Sequence, residues 1–143
     1  CVSWIFIIDT FWIFLINAKY KKMINPQVIK FAADTSNYGL EKNSNFVATH
    51  KNKLCGDKIT VELKIKKQII KKMSYEGESC IFCQASASLL SKFIRNKNIN
   101  TISIFFKKAK KDNKFKKLLK IKERINCVML PFQALQKAAK CKR

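Results

Sequence analysis

The sequence predicts an α+β fold in which a three-stranded antiparallel sheet is packed by about four to five helices. Two observations predict it. From residue 57 to residue 66, apolar and polar side chains alternate, which is typical of a strand with one buried face. Helical patterns occur before and after the strand region but not between the strands, and this segregated order distinguishes α+β domains from α/β domains.

The first predicted elements are a short helix and a short strand. Pro26 suits the first position of a helix, which we expect to run to about Asp34. The polar residues 36–45 predict a loop. Alternation over residues 46–51 then predicts the first strand of the sheet.

The second strand carries the clearest pattern of the chain, and the third follows it as a hairpin. One face of the second strand is apolar and consists of Ile59, Val61, Leu63 and Ile65. The other face is polar and consists of Thr60, Glu62, Lys64 and Lys66. Residues 66–68 are expected to turn the chain, so that residues 69–75 return as the hairpin partner.

The last part of the chain is predicted to be helical. Apolar residues at helical spacing predict one helix over residues 81–94 and a second over residues 101–110, with Ile104 and Phe105 facing inward. The lysine-rich residues 111–124 are a further helical segment. A final helix is expected from Pro131 to about residue 140. Since there is no internal repeat and no Gly- or Ser-rich linker, residues 23–143 are interpreted as a single domain.

Residues 1–22 form an apolar N-terminal extension that two hypotheses explain. The apolar run over residues 2–17 is interrupted by Asp9 and is shorter than the ~20 residues of a spanning helix. Positive charge follows the run, whereas a signal peptide carries it in front. The extension is either upstream sequence translated from an incorrect start site, with Met23 as the true start, or a genuine membrane anchor. Only the second hypothesis gives the protein a membrane as a partner.

The strongly basic composition favours solvated lysine faces over specific nucleic-acid recognition. The formal net charge is +21, but only three of the 30 basic residues are arginines. Nucleic-acid readers usually use arginine for bidentate contacts to bases and phosphates. Lysine, isoleucine and asparagine are enriched together, as AT-rich codons would produce. A basic nucleic-acid-binding protein remains an alternative function, and steering toward an acidic protein partner is another.

The six cysteines suggest metal or redox chemistry in a reduced, cytoplasmic chain. Their spacing is irregular, and a domain of this length buries enough surface to fold without disulfides. Cys55, Cys80 and Cys127 each lie at a break between predicted elements, and Asp57 follows the first of them by two residues. Three thiolates and a carboxylate are ligands for a thiophilic metal or an iron–sulfur cluster. Cys80 and Cys127 also precede predicted helices, whose N-termini would lower a thiol pKa.

Several other reactive side chains have ordinary structural explanations. Cys83 completes a Cys-x-x-Cys with Cys80, but a zinc ribbon needs a second such pair, so Cys83 is predicted to face the core. His50 is the only histidine and is interpreted as a strand residue. Ser86 and Ser88 have no histidine nearby to act as a base, and we expect them to allow close helix packing.

Three motifs together resemble a known family. They are Leu54-Cys55-Gly56-Asp57, Cys80 followed by Gln84-Ala85-Ser86-Ala87-Ser88, and Cys127 followed by Leu130-Pro131. The chain is similar in them to the U-type iron–sulfur cluster assembly scaffolds, the group of IscU, SufU and the NifU N-terminal domain. The resemblance extends over roughly residues 24–141 and implies a SufE/NifU-like fold whose three cysteines converge at one exposed end.

The resemblance also implies a function and a site. Iron, a [2Fe–2S] cluster or alternatively zinc would be bound by Cys55, Asp57, Cys80 and Cys127. The three cysteines would be the candidate acceptors of persulfide sulfur from a cysteine desulfurase, and the cluster would pass to apo-proteins. Such a protein is a scaffold rather than an enzyme and has no specific nucleic-acid partner. The alternative within the family is a zinc-bound sulfur acceptor that activates its desulfurase.

Some positions differ from the family pattern. Asn126 stands where many members have a histidine before the third cysteine, which gives Asp57 more weight as the fourth ligand. The Leu-Pro-Pro-Val-Lys segment that a dedicated chaperone reads in one branch is absent, so we do not expect that chaperone as a partner. The pattern leans toward the Suf-type branch. However, the segment between Cys80 and Cys127 is too short for the insertion of the zinc-bound sulfur-transfer members.

Overall fold

A computed structural model describes residues 25–141 and confirms the predicted fold class. Among these residues it contains three strands and five α-helices in the predicted segregated order. The elements are α1 Pro26–Ala33, β1 Phe46–Lys51, β2 Lys58–Lys66, β3 Ile69–Glu76, α2 Ile81–Phe93, α3 Ile102–Lys111, α4 Asn113–Leu119 and α5 Ile125–Lys140, with 3-10 turns at Ile99–Thr101 and Lys122–Arg124. The expectations for residues 1–22 lie outside the described residues.

The sheet has the order β1-β2-β3, and both pairings are antiparallel. β2 is therefore central, which explains why its alternation is the clearest pattern of the chain. The hairpin between β2 and β3 turns at Lys67 and Gln68, both of which have positive φ angles (49° and 63°). Two consecutive positive φ angles are typical of the tight hairpin turn whose twist matches that of the strands.

Helices cover one face of the sheet and build the core. α5 packs against β1 and β2, while α2 packs against α1, α5 and β3. Aromatic rings fill the space toward α3 and α4, with neighbouring centroids 4.7 to 5.6 Å apart, and these rings are Phe93, Phe105, Phe106, Phe115 and Phe132. Three of the four neighbouring pairs are edge-to-face, an arrangement that adds to the stabilisation that burial itself provides.

Two predictions about the helices are wrong. Ile104 is not inward but 57% exposed, and α3 instead buries Ile102, Phe105 and Ala109. The last helix begins at Ile125 rather than at Pro131, which lies inside it. Proline is favoured in the first turn of a helix but is tolerated deeper when tertiary packing holds the helix together.

Glu62 is a buried carboxylate on the face of β2 that the alternation assigns to solvent. It is only 3% exposed. Its two oxygens accept four backbone N–H groups, from Glu41, Lys42, Asn43 and Ser44, at 2.7 to 3.1 Å. The loop before β1 is thereby fixed to the central strand. Four hydrogen bonds offset the cost of removing the charge from water.

No helix among residues 25–141 is long and apolar enough to cross a membrane.

Candidate metal centre

Three of the four predicted ligands meet at one point of the structure. The sulfur atoms of Cys55 and Cys127 and a carboxylate oxygen of Asp57 all lie within 4.8 Å of one another. The two sulfurs are 3.8 Å apart. A tetrahedral ion with metal–sulfur bonds of about 2.3 Å would hold two sulfurs about 3.8 Å apart. The donor atoms therefore already have the spacing that a thiophilic metal requires.

A closed loop between β1 and β2 positions Cys55 and Asp57. The N–H of Asn52 donates to the carbonyl of Asp57 at 2.7 Å, and the N–H of Gly56 donates to the carbonyl of Asn52 at 2.9 Å. Gly56 adopts a φ of +77°, a conformation that glycine reaches without strain. The loop therefore brings the thiol of Cys55 and the carboxylate of Asp57, which are separated only by Gly56, to the same side.

Cys127 lies in the first turn of α5, and a buried hydrogen bond fixes the helix there. The hydroxyl of Ser86 in α2 donates to the carbonyl of Val128 at 2.7 Å. This contact agrees with the packing role predicted for Ser86. Because Pro131 has no N–H, the carbonyl of Cys127 four residues earlier lacks the donor that it would normally have within the helix. Cys127 is 4% exposed, so its thiol lies at the packed N-terminal end of α5.

Cys80 lies beside this group rather than within it. It occupies the N-cap position of α2, and its backbone N–H donates to Oδ2 of Asp57 at 3.2 Å. Its sulfur does not come within 4.8 Å of all three of the other donor atoms. The structure thus joins Cys55, Asp57 and Cys127 directly and places Cys80 next to them, beside both Asp57 and Cys127.

The thiol pKa values move in the direction opposite to the one expected from the helix N-termini. Burial is the main cause that raises the pKa of the Cys127 thiol, and the nearby Cys80 and Cys55 raise it further. The pKa of Cys80 is also raised, first by burial and then by the neighbouring Asp57 carboxylate. Negative groups crowded into a partly dry site disfavour one another's ionised forms. A bound cation would remove that penalty, because it neutralises them together.

The remaining cysteines and His50 lie apart from the donor group. Cys83 is fully buried, as predicted, and burial raises the pKa of its thiol to about 12. His50 lies on β1 opposite Ile59 and does not belong to the group. Cys141 is exposed at the end of α5. All five cysteines of the described residues are free thiols.

Three basic side chains lie within three residues of a site cysteine in sequence. Lys53 and Lys58 flank Cys55 in sequence and are exposed. Arg124, just before α5, lies with its guanidinium 5.8 Å from the ring centroid of Phe82, two residues after Cys80. No local sequence signal joins Arg124 to Phe82, since the contact depends on how α2 and α5 pack.

Comparison with protein families and known proteins agrees with this architecture. The family model described as the NifU-like N terminal domain matches residues 23–141. The iron-sulfur cluster assembly scaffold protein IscU of Thermotoga maritima is 26% identical over 135 residues, covering 85% of this chain and 95% of that protein. The zinc-dependent sulfurtransferase SufU of Bacillus subtilis is 36% identical over 59 residues, 41% of this chain and 40% of that protein.

Solved structures share the fold. A candidate iron-sulfur cluster assembly scaffold protein of the SUF system from Fervidobacterium islandicum superposes with a TM-score of 0.72 at 22% identity, covering 83% of this chain and 98% of that one. A NifU-like N-terminal protein from Brucella abortus gives a TM-score of 0.64 at 23% identity, covering 82% of this chain and 90% of that one. The three strands and their covering helices are thus a known arrangement.

Proposed function

The chain belongs to the NifU-like N-terminal domain family, and from this premise we propose that it is an iron–sulfur cluster assembly scaffold. It accepts sulfur from a cysteine desulfurase, collects iron, builds a [2Fe–2S] cluster and transfers the cluster to apo-proteins. Residues 23–143 form the scaffold domain. The function is to hold and hand on a cargo rather than to catalyse turnover. A reducing compartment such as the cytoplasm suits it, because the ligands must remain thiolates.

One observation carries this proposal: donor atoms of Cys55, Asp57 and Cys127 lie within 4.8 Å of one another. They come from a loop and from a helix that are far apart in sequence, so local structure alone does not explain their meeting. Two sulfurs and one oxygen suit iron or zinc and are a poor set for magnesium or calcium, which prefer oxygen ligands throughout. Cys80 is the next sulfur and would complete the ligand set.

The different exposure of the cysteines supports different roles. Cys55 is exposed on its loop, whereas Cys127 is buried in α5. We assign sulfur acceptance to Cys55. Its thiolate attacks the outer sulfur of the desulfurase persulfide, the sulfur–sulfur bond breaks, and the desulfurase cysteine leaves as a thiolate. Cys55 then carries the persulfide. Conversion of that sulfur to the sulfide of a cluster consumes electrons from an external reductant.

Asp57 gives the site a ligand that favours release. A carboxylate oxygen is a harder donor than a thiolate and binds iron less firmly. A scaffold must transfer its cluster, so one weak ligand among strong ones serves the function. The hydrogen bond from the Cys80 N–H orients this carboxylate.

A second function has one specific observation in its favour, the similarity to the zinc-dependent sulfurtransferase SufU. On this alternative, the same residues bind one zinc ion and the protein relays sulfur from the desulfurase without building a cluster. The two functions share ligands and differ in their cargo.

Anaerobic reconstitution with iron, cysteine and a cysteine desulfurase tests the proposal. We expect visible charge-transfer absorption and acid-labile sulfide in the wild-type protein. The Cys127→Ser variant should lose both, whereas Cys141→Ser, which changes an exposed cysteine outside the donor group, should keep both. One tightly bound, colourless zinc ion that survives the treatment would favour the sulfurtransferase. If wild-type protein takes up neither metal, both functions are excluded.

A further inference from the structure

Leu54 is the most exposed large apolar side chain of the described residues. It is 83% exposed, and the other exposed large apolar side chains of residues 25–141 are between 47% and 57% exposed. Single exposed apolar residues are common on protein surfaces and by themselves indicate nothing. The position of Leu54 distinguishes it, because it directly precedes Cys55 on the loop that carries the proposed sulfur acceptor.

The loop holds Leu54 in this exposed position. The side-chain oxygen of Asn52 accepts the N–H of Leu54 at 3.0 Å, and the carbonyl of Asn52 accepts the N–H of Gly56 at 2.9 Å. These hydrogen bonds fix the backbone on both sides of Cys55. A side chain presented by a fixed loop loses little conformational entropy when a partner covers it, and such preorganisation strengthens binding.

Sulfur transfer brings any donor protein onto Leu54. Two cysteines joined through sulfur have Cα atoms about 4.4 to 6.8 Å apart, and one additional sulfur lengthens the bridge by about 2 Å. Consecutive Cα atoms are about 3.8 Å apart. The Cα of the donor cysteine therefore comes within about 13 Å of the Leu54 Cα, so that residues next to the donor cysteine can reach the leucine and cover it.

The surroundings of Leu54 define the chemistry of the partner. Lys53 and Lys58 are exposed on either side of Cys55, and the ion pairs of the described residues include neither of them. A complementary partner surface has an apolar pocket for the leucine. The rim of that pocket carries carboxylates that face the two lysines. An apolar centre with a polar, solvent-accessible rim is the usual arrangement of a protein interface.

We propose that Leu54 is the anchor by which this chain docks on its cysteine desulfurase, in an apolar pocket with an acidic rim. The inference rests on the proposed function, since it assumes that Cys55 accepts persulfide sulfur. It adds a specificity residue that contacts the partner and binds no metal. Lys53 and Lys58 contribute to the rate of association and to its dependence on salt.

The test measures sulfur transfer from the organism's own cysteine desulfurase to the full chain at varied concentrations. Persulfide on Cys55 is followed by mass spectrometry. For Leu54→Ala we expect the KM for the scaffold to rise about tenfold, as loss of one buried leucine in an interface would produce. The rate at saturation and the metal content should not change. Ile104→Ala, which shortens another exposed apolar side chain, is the matched control and should leave the KM unchanged.

The outcomes separate the inference from the function on which it rests. A wild-type KM for Leu54→Ala, with sulfur still arriving on Cys55, overturns the docking role and leaves the scaffold function intact. An equal rise in KM for Ile104→Ala also overturns it, because the effect would not be local. If no sulfur reaches Cys55 of the wild-type protein, the proposed route of sulfur acceptance fails and the inference fails with it.

Discussion

The carboxylate of Asp57 accepts a hydrogen bond from the backbone N–H of Cys80 at 3.2 Å, so the loop before β2 is joined to the first turn of α2. This contact gives Asp57 two roles in the proposed function. Oδ2 holds the carboxylate against the helix, and a carboxylate oxygen lies within 4.8 Å of the Cys55 and Cys127 sulfurs. In the proposed function, the weakest ligand is therefore also the residue that connects the loop before β2 to α2.

Replacing Asp57 should slow the release of the cluster. In Asp57→Ala the hard oxygen ligand is lost, and we expect transfer of a reconstituted cluster to an apo-ferredoxin to slow by roughly tenfold. Asp57→Asn keeps an oxygen that can accept the Cys80 N–H and should have an intermediate rate. Circular dichroism in the visible range follows the transfer. A wild-type rate in Asp57→Ala would contradict the role of the carboxylate.

Gly77 is required because the backbone of Lys58 lies against it. A Cβ atom at position 77 would lie 2.1 Å from the carbonyl oxygen of Lys58, so two backbone segments would have to separate. These segments place Asp57 beside Cys80, since the N–H of Lys58 donates to the carbonyl of Glu78 at 2.9 Å. We expect Gly77→Ala to lower the free energy of unfolding by roughly 3 kcal/mol.

Gly39→Ala is the control for this substitution. Gly39 has a φ of +96° but no atom within 4 Å of the added Cβ, so its replacement introduces backbone strain without a clash. Its cost should be about 1 kcal/mol. Urea denaturation measures both variants. Equal losses of stability would show that backbone conformation, rather than the close approach to Lys58, decides the effect.

Glu62 should be among the least replaceable residues of the sheet. Glu62→Ala leaves four loop N–H groups without their acceptor, and we expect a loss of roughly 3 kcal/mol. Glu62→Gln should be nearly as harmful, because its amide nitrogen would face N–H donors. Glu76→Gln is the control, since among residues 25–141 Glu76 accepts a single long hydrogen bond, from the N–H of Leu40 at 3.4 Å. Similar unfolding midpoints for the two glutamine variants would contradict this account.

The free energy of unfolding should fall in acid, and protonation of Asp34 should account for part of the loss. Hydrogen bonds from Lys92 and then from Ser36 lower the pKa of this carboxyl from 3.8 to about 2. A pKa that is lower in the folded state favours folding above the unfolded pKa, and the contribution is lost as the pH falls from about 4 to about 2. Asp34→Asn should therefore show a flatter dependence of unfolding free energy on pH in that window. Lys92→Met should flatten it as well.

The sequence patterns predict the elements that local periodicity defines. The alternation of Ile59, Val61 and Leu63 gives the central strand correctly, because one face of β2 packs on α5. The same alternation fails for Glu62, whose burial depends on a loop some twenty residues earlier in the chain. Helical spacing alone does not decide which neighbouring residue faces inward, and Ile104 illustrates this. Pro131 does not mark the start of the last helix as predicted, because packing against the sheet lets α5 continue through it.

The candidate site is partly predictable in the same way. The motifs identify Cys55, Asp57, Cys80 and Cys127, but only the tertiary structure shows which of their donor atoms approach one another. The expected lowering of thiol pKa values considers the helix ends alone. In the structure burial dominates the pKa of Cys127, and burial is a property of the packed core that no local motif contains.

X-ray absorption at the iron edge of the reconstituted protein tests the central claim most directly. The account predicts sulfur neighbours near 2.3 Å and a signal from an oxygen ligand at shorter distance in the wild-type protein, and loss of the sulfur neighbours in Cys127→Ser, which should not retain the cluster. Iron surrounded only by oxygen and nitrogen, or a spectrum that Cys127→Ser leaves unchanged, would contradict it.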